Sequence, residues 1–478
     1  MTTAVVVGSG PNGLAAAIRL AQQGVQVRVL EAKDTVGGGA RSVVSESGLV
    51  HDECSAIHPT GVASPFFRSL RLEDHGLRWL WPEVDLAHPL DSGSAGVLVR
   101  DLDQTAASLG RDGAAWSRLF GPLARSFDDL VEDVFRPVLH WPSHPLRLAG
   151  FGLNAAAPAS WTARRWKTDE ARALFGGVAA HAFSRLNTPL SSSVGLMLTA
   201  AGHAHGWPVA EGGSQSISNA LVSVLEKLGG TVETGVEVGA LDELDRPDVV
   251  LLDVSPRAAL GICGDRLPAR TAHAYRRYSY GPAAYKVDFE VRGDVPWVNE
   301  ACRKAGTVHV GGTFEQVAAA ERDIVRGRMP ARPFVLIAQQ YLADPSRSVG
   351  DLNPVWGYAH VPHGHPGDVT STIVDQVERF APGFRERIVS TRVRSVRQME
   401  LHNPNYVGGD ISVGANTTVQ LALRPRLALD PYSTGIPGVY LCSSASPPGP
   451  GVHGMCGVNA AQSALRSLDL TDGVVSRS

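Results

Sequence analysis

Gly8-Ser9-Gly10-Pro11-Asn12-Gly13 has the residue types and the spacing of a phosphate-cradling turn. Gly8 permits a tight turn, Gly10 lets backbone approach a pyrophosphate, and Gly13 permits close helix–strand packing. Glu31 follows Gly13 by eighteen residues. There a carboxylate accepts hydrogen bonds from a ribose 2′-hydroxyl and repels a 2′-phosphate, which favours a dinucleotide other than NADP. A second glycine-rich stretch, Gly37-Gly38-Gly39-Ala40-Arg41-Ser42, follows closely. Its backbone N–H groups and its guanidinium have the chemistry to meet the same pyrophosphate.

The elements that must position these residues are legible. Ala4–Val7 is an apolar, β-branched run and reads as a buried parallel strand. Leu14, Ala17, Ile18 and Ala21 share one helical face, and Gly24 stops that helix. Val25–Leu30 is a second strand ending at Glu31. Strand, turn, helix, strand and acid form a βαβ dinucleotide fingerprint in its proper context, with the cofactor phosphates expected on the helix N-terminus.

Glu31-Ala32, the second glycine-rich turn and Arg41-Ser42 together resemble the FAD site of the phytoene desaturase and amine oxidase flavoprotein superfamily. The resemblance implies an FAD cofactor. It extends to Trp207–Pro256, where Gly212-Gly213, a helix with Ile217, Ala220, Leu221, Val224 and Leu225 inside, Gly229-Gly230 and the strand Thr231–Val238 follow in order. Ser216 is expected to cap that helix. By the resemblance Val236 offers its backbone to the adenine. Pro247–Pro256 closes the sheet, with Ser255 at its C-terminal end.

Composition bounds the rest. The chain has 478 residues, 44% hydrophobic and 19% charged, with a net charge of −3. That suits two or three domains and gives no electrostatic footprint for nucleic acid. Five cysteines without regular spacing argue against a disulfide framework and fit a reducing cytosol. The first strand begins within a few residues of Met1, leaving no room for a signal peptide, and no window of eighteen apolar residues exists. The expected location is cytoplasmic, with peripheral membrane association as an added role.

Several stretches carry further expectations. Residues Gly48–Pro65 are polar, and His51, Asp52, Ser55 and His58 either line a site beneath the cofactor or lie in a surface loop. Asp112–Leu139 reads as one long amphipathic helix bent at Pro122, with Asp128, Asp129, Glu132 and Asp133 on a solvated face. Residues 140–166 are apolar, broken by Pro and Gly, and carry Trp141, Trp161 and Trp166 with Arg147, Arg164 and Arg165. They suit a bilayer surface or the roof of an apolar tunnel. Asp169–Gly206 reads as helical. Strands are expected over Tyr285–Val291, Arg332–Tyr341, Pro354–Val361 and Gly438–Leu441, and a helix over Val369–Phe380. His360, His363 and His365 form HxxHxH, but in a Pro/Gly-rich loop with only Asp368 nearby. They read as the end of a strand near a substrate pocket, and no metal is expected.

The alternation of Tyr285–Val291 sets Lys286 on one face with Asp288 and Glu290, a charged face if the strand is an exposed edge. The run Gly281–Lys286 with Pro296-Trp297 resembles the amine oxidase pattern, which implies that Lys286 holds a water against flavin N5. At the other end, strand Gly438–Leu441, the turn Cys442–Gly457 and a small-residue helix through Leu468 form a second phosphate- or flavin-binding junction. There the family places Ser443 and Ser444 by the ribityl phosphate and Val452 and His453 by the pyrimidine edge. Arg424-Pro425 also matches a pattern of phytoene dehydrogenase-related proteins and implies that Arg424 orients substrate or cofactor.

The expected fold is α/β. A discontinuous Rossmann-type FAD-binding domain is gathered from residues 1–75, 205–265 and 405–478. A mixed-sheet plus helical substrate domain takes residues 76–204 and 266–404, mainly helical over 105–204. The expected FAD contacts are Gly8, Gly10, Pro11, Asn12, Gly13, Glu31, Ala32, Gly38, Gly39, Ala40, Arg41, Val236, Ser255, Ser443, Ser444, Val452 and His453, with Lys286, His453 and Arg424 as catalytic candidates. The expected activity is hydride movement between flavin N5 and a C–H or C=C bond of an apolar isoprenoid, carotenoid or lipid-like substrate. With one fingerprint only, electrons pass to or from oxygen, a quinone or a docking NAD(P)H. The alternatives are an amine oxidase-like enzyme making hydrogen peroxide and a non-catalytic flavin-binding interaction protein.

Overall fold

The computed structural model describes residues 2–470. A five-stranded parallel sheet has the order Val439–Leu441, Val249–Leu252, Thr3–Val7, Gln26–Glu31, Thr231–Thr234. Its central strand is buried on both faces from Ala4 to Val7, which is why those residues are a continuous apolar run. The helix Pro11–Ala21 follows at once, with Pro11 in its first turn, where a missing N–H costs nothing. The helix is alanine-rich because it is enclosed by the sheet and by the helices Gln215–Lys227 and Met455–Ser467.

A second sheet has seven strands in the order Ile388–Arg394, Ala283–Arg292, Leu352–Val361, Val335–Ala338, Ala305–Val310, Val84–Pro89, Ala95–Leu98. All of its pairs are antiparallel except that of Ala305–Val310 with Val84–Pro89. Helices Gly113–Arg125, Asp169–Ala180 and Ser192–His205 pack as a layer beside it. Their core is aromatic, with Trp116 and Phe120 centroids 4.5 Å apart and Trp166 and Phe175 5.3 Å apart.

Several expectations need correction. Residues 112–139 form two helices, Gly113–Arg125 and Phe127–Val134, because Ser126 leaves helical dihedrals (φ −114°, ψ 24°); Pro122 sits within the first. Asp133 is not on a solvated face: it is buried and accepts the Ser143 and His144 N–H groups at 2.7 and 2.8 Å. The helix after Trp207 starts at Gln215 with Ser214 before it, so Ser216 lies inside it and its hydroxyl donates to the Glu211 carbonyl. The strand over Thr231–Val238 stops at Thr234, where Gly235 takes φ +74°. The strand expected over Arg332–Tyr341 is only Val335–Ala338. Tyr285–Val291 lies within Ala283–Arg292, an interior strand paired on both sides, so Lys286, Asp288 and Glu290 are buried and do not form an exposed charged edge. Trp166 belongs to the aromatic core, whereas Trp141 and Trp161 are 92% and 62% exposed.

Candidate functional site

The turn after Thr3–Val7 is shaped by close backbone approach. Gly8 takes φ +101°, and a β-carbon at Gly13 would collide with its carbonyl. A β-carbon at Gly10 would lie 2.6 Å from Asp253 Oδ2. The second glycine turn closes over the first: the Gly37 N–H donates to the Ser9 carbonyl at 3.1 Å, and a β-carbon on Gly38 would lie 3.1 Å from Gly10 Cα. Glu31 is buried at the strand end. It accepts the Ser9 N–H at 3.0 Å, the Lys33 N–H at 2.9 Å and the Ser9 hydroxyl, and pairs with Arg41 at 2.9 Å. The Arg41 guanidinium also donates to the Thr35 carbonyl, so it anchors the second turn beside the acid. Ala32 is exposed, and Ala40 is buried in the turn.

The N-terminus of the last helix, Met455–Ser467, meets this turn. A β-carbon on Gly457 would run into the Asn12 carbonyl, and the Asn12 amide donates weakly to Ser444 Oγ at 3.4 Å. The Asn12 Oδ1 is buried without a partner. Two glycine turns and two helix N-termini thus converge with donors that suit a pyrophosphate, and the unpartnered amide oxygen is an acceptor that suits a sugar hydroxyl.

The chain leaving Arg41 turns back to reach the second sheet. The Glu53 N–H donates to the Arg41 carbonyl and the Ser55 N–H to the Gly39 carbonyl, at 2.8 and 2.9 Å. His51, Asp52 and His58 are therefore buried. Asp52 is held by Arg347 at 2.6 Å, by the Ser214 N–H at 2.7 Å and by Ser42 at 2.7 Å. Burial opposes its ionisation, but Arg347 and these donors outweigh it and hold the carboxyl below its ordinary range. His58 bridges Ser55 and Ser214, and burial lowers its pKa to about 4. His51 lies 3.6 Å from Asp288, whose other oxygen holds Lys286. Burial raises the Asp288 pKa, but Lys286 and His51 more than offset it. Lys286 Nζ also sits 5.7 Å above the Trp356 ring, and Trp356 meets Tyr358 edge-on at 5.2 Å. One face of the second sheet thus carries a buried cation and two aromatics next to the dinucleotide turn.

Other candidates hold the frame. Ser255 caps helix Pro256–Cys263 by accepting the Ala258 N–H, so its hydroxyl is committed to the helix end. The Val236 N–H donates to the Glu31 carbonyl at 2.9 Å. The Ser443 hydroxyl accepts the Ala445 N–H. His453 accepts the Met455 N–H, stacks on Phe135 at 4.8 Å, and burial lowers its pKa to about 4. Val452 is half-buried. Arg424 is buried and donates to the Ser444 carbonyl at 3.2 Å and to Asn416 Oδ1 at 2.6 Å. The three histidines of HxxHxH diverge: His360 faces Glu321, His363 meets the Gly281 carbonyl, and His365 lies against Gly367. Among the described residues no group of three or more His, Cys, Asp or Glu is placed to hold a metal ion. The five cysteines are buried and free.

Asp253 escaped the sequence reading. It follows strand Val249–Leu252 and accepts the Gly13 N–H at 3.0 Å. Its only signal was an acid at the end of a Rossmann strand. Arg347 carried no signal, because Asp52 is remote from it in sequence; nor did Tyr406, whose hydroxyl stands where a β-carbon on Gly39 would lie.

Comparison with known proteins agrees with this geometry. The family model of the NAD(P)-binding Rossmann-like domain matches residues 6–71. The chain is 25% identical to a hydroxyneurosporene desaturase of Cereibacter sphaeroides over 97% of each chain. It is 24% identical to pyridine nucleotide-disulfide oxidoreductase domain-containing protein 2 of Rattus norvegicus, over 97% of this chain and 93% of that one. A putrescine oxidase structure superimposes with a TM-score of 0.61 at 18% identity, covering 98% of this chain and 99% of that one, which shows a shared fold.

Proposed function

We propose that this chain, an oxidoreductase of the FAD-dependent amine oxidase-like superfamily, binds FAD and oxidises or reduces a carbon–carbon bond of an apolar, isoprenoid- or lipid-like substrate. The observation that supports this reading best is the apposition of the second glycine turn to the buried Lys286–Trp356–Tyr358 face. A dinucleotide anchored at Gly8–Gly13 would extend past Gly39 and Cys54 toward that face. When bound, FAD supplies a hydride acceptor or donor.

In this reading Gly10 and Gly13 give the pyrophosphate close backbone access, and Glu31 takes the ribose hydroxyls by exchanging one of its present donors. Arg424 ties the C-terminal junction to Asn416, which donates to the Ala182 carbonyl and so fixes the helical layer against the site. Lys286, neutralised by Asp288, orients a water or the substrate edge. The buried aromatics exclude bulk water. The amine-oxidising alternative rests on the same Lys286–Trp356 contact.

The exposed apolar face of residues 138–161 supports docking on a bilayer from which an apolar substrate would enter. Trp141, Leu146 and Leu153 are 92%, 88% and 80% exposed, and Arg147 lies on the same stretch. Among the described residues no helix is long and apolar enough to cross a membrane.

The test is a visible spectrum before and after acid precipitation, then anaerobic addition of phytoene in liposomes. Released flavin and bleaching by phytoene are expected. No flavin after incubation with FAD overturns the cofactor. Bleaching by putrescine but not phytoene overturns the substrate class.

A further inference from the structure

Five residues distant in sequence meet between the second sheet and helices Asp169–Ala180 and Phe314–Val325: His88, His181, His309, Glu321 and His360. His181 Nε2 and His309 Nε2 are 2.9 Å apart, and the His88 and His309 rings lie 6.3 Å apart. His360 Nδ1 meets Glu321 Oε1 at 2.7 Å, and Phe183 stacks on His360 at 3.8 Å. Phe183 takes φ +47°, a costly conformation for a bulky residue, and so is held against that ring by its surroundings.

His181 is half-buried, whereas the other four are fully buried yet unsatisfied. His88 Nδ1, His309 Nδ1, His360 Nε2 and Glu321 Oε2 have no hydrogen-bond partner, and their residues are 0% exposed. Each such group is costly when left buried and unpaired. Four in one place point to a polar guest. Strand register places the cluster on the wall of the proposed site: Lys286 pairs with Tyr358, Tyr358 with Leu336, and Leu336 with His309, one row across four strands. Phe334 and Trp207 line the same region, 5.3 and 6.0 Å from His309.

We propose that this imidazole cluster holds the hydroxyl end of an otherwise apolar substrate whose reacting carbons lie nearer Lys286. The proposal rests on the apolar-substrate reading and narrows it to alcohols. A neutral imidazole carries one N–H and one lone pair, matching a hydroxyl that both donates and accepts. Burial lowers the pKa of His88 to about 4 and that of His181 to about 3, and drives His309 well down, so these three offer no cation to an anionic group. His360 Nδ1 is engaged by Glu321 Oε1, which leaves His360 Nε2 as the free end of the pair.

The experiment compares farnesol, farnesyl methyl ether and farnesene by calorimetry on the FAD-loaded full chain, with ¹⁵N-histidine NMR of the same samples. Farnesol is expected to bind more tightly than the other two, on the order of tenfold or more, because only it satisfies both hydrogen-bonding roles. It should shift the His309 and His360 ring nitrogens. H309L and E321Q should each shrink the preference; E321Q keeps the shape of the site if H309L fails to fold. Equal binding of all three, a preference that survives both variants, or unshifted ring nitrogens overturns the hydroxyl subsite alone. Binding of none of them overturns the apolar-substrate reading, and this proposal with it.

Discussion

Asp253 accepts the Gly13 N–H at 3.0 Å, so a carboxyl group occupies part of the helix N-terminus that the glycine turn opens. Burial raises its pKa to about 7; the Gly13 and Gly10 N–H groups pull it down, and Glu31 pushes it up. A carboxyl raised from 3.8 in the unfolded chain to about 7 in the fold is kept protonated by folding. Stability therefore falls as pH rises between those values and levels off above the upper one. At about 1.4 kcal/mol per pKa unit the full effect is roughly 4 kcal/mol. D253N removes the titration. Its melting temperature minus that of the parent should grow from pH 4 to pH 7 and then stay constant. Retention of FAD should weaken above pH 7 in the parent and not in D253N, since an ionised Asp253 repels the pyrophosphate.

Gly10 has no room for a side chain, with Asp253 Oδ2 2.6 Å from its β-position. G10V should leave a folded protein without flavin. Absorbance near 450 nm after gel filtration with excess FAD measures this, and circular dichroism checks the fold. A yellow G10V protein would remove the turn from the cofactor site.

Lys286 and Asp288 form a pair with both side chains nearly inaccessible. Replacing the lysine alone strands a carboxylate, at a cost of roughly 3–5 kcal/mol, which protonation of Asp288 partly relieves. K286M should unfold at lower denaturant, and K286M/D288N should recover much of the loss. Reoxidation of the dithionite-reduced protein by air should be slowed about equally in both variants if Lys286 positions a water or the substrate edge, and unaffected if its part is structural.

Trp141, Leu146 and Leu153 project from the helical layer with almost no protein contact. Changing all three to serine should shift the melting temperature little, as exposed substitutions usually change stability by less than about 0.5 kcal/mol each. Co-sedimentation with anionic liposomes should fall at least several-fold. Unchanged pelleting would place the membrane contact elsewhere or abolish it.

The dinucleotide half was legible because its signal is local. Strand, turn, helix and acid lie within the first thirty-one residues, and each obeys a short-range rule. The histidine cluster was not. Its members stand at positions 88, 181, 309, 321 and 360, on separate strands and helices. Only His360 was singled out, on a spacing that turned out to scatter its companions. The three tryptophans of residues 140–166 look alike in composition, but Trp166 packs on Trp116 while Trp141 faces solvent. That choice is made by where the chain re-enters the core, which periodicity does not record. Ser255 was read from its place at the C-terminal end of a sheet strand, and its hydroxyl accepts a hydrogen bond as an ordinary helix cap.

The parallel sheet takes its edge strand, Val439–Leu441, from the far end of the chain and pairs it with Val249–Leu252, beside the first strand made. A ribosome must therefore release the chain past Leu441 before the parallel sheet can close. Until then the amino-terminal βαβ unit waits with an apolar flank uncovered, a state prone to aggregation. Loading of the proposed FAD would then be a late event in biogenesis, and chains cut short before residue 439 should accumulate in inclusion bodies or be degraded.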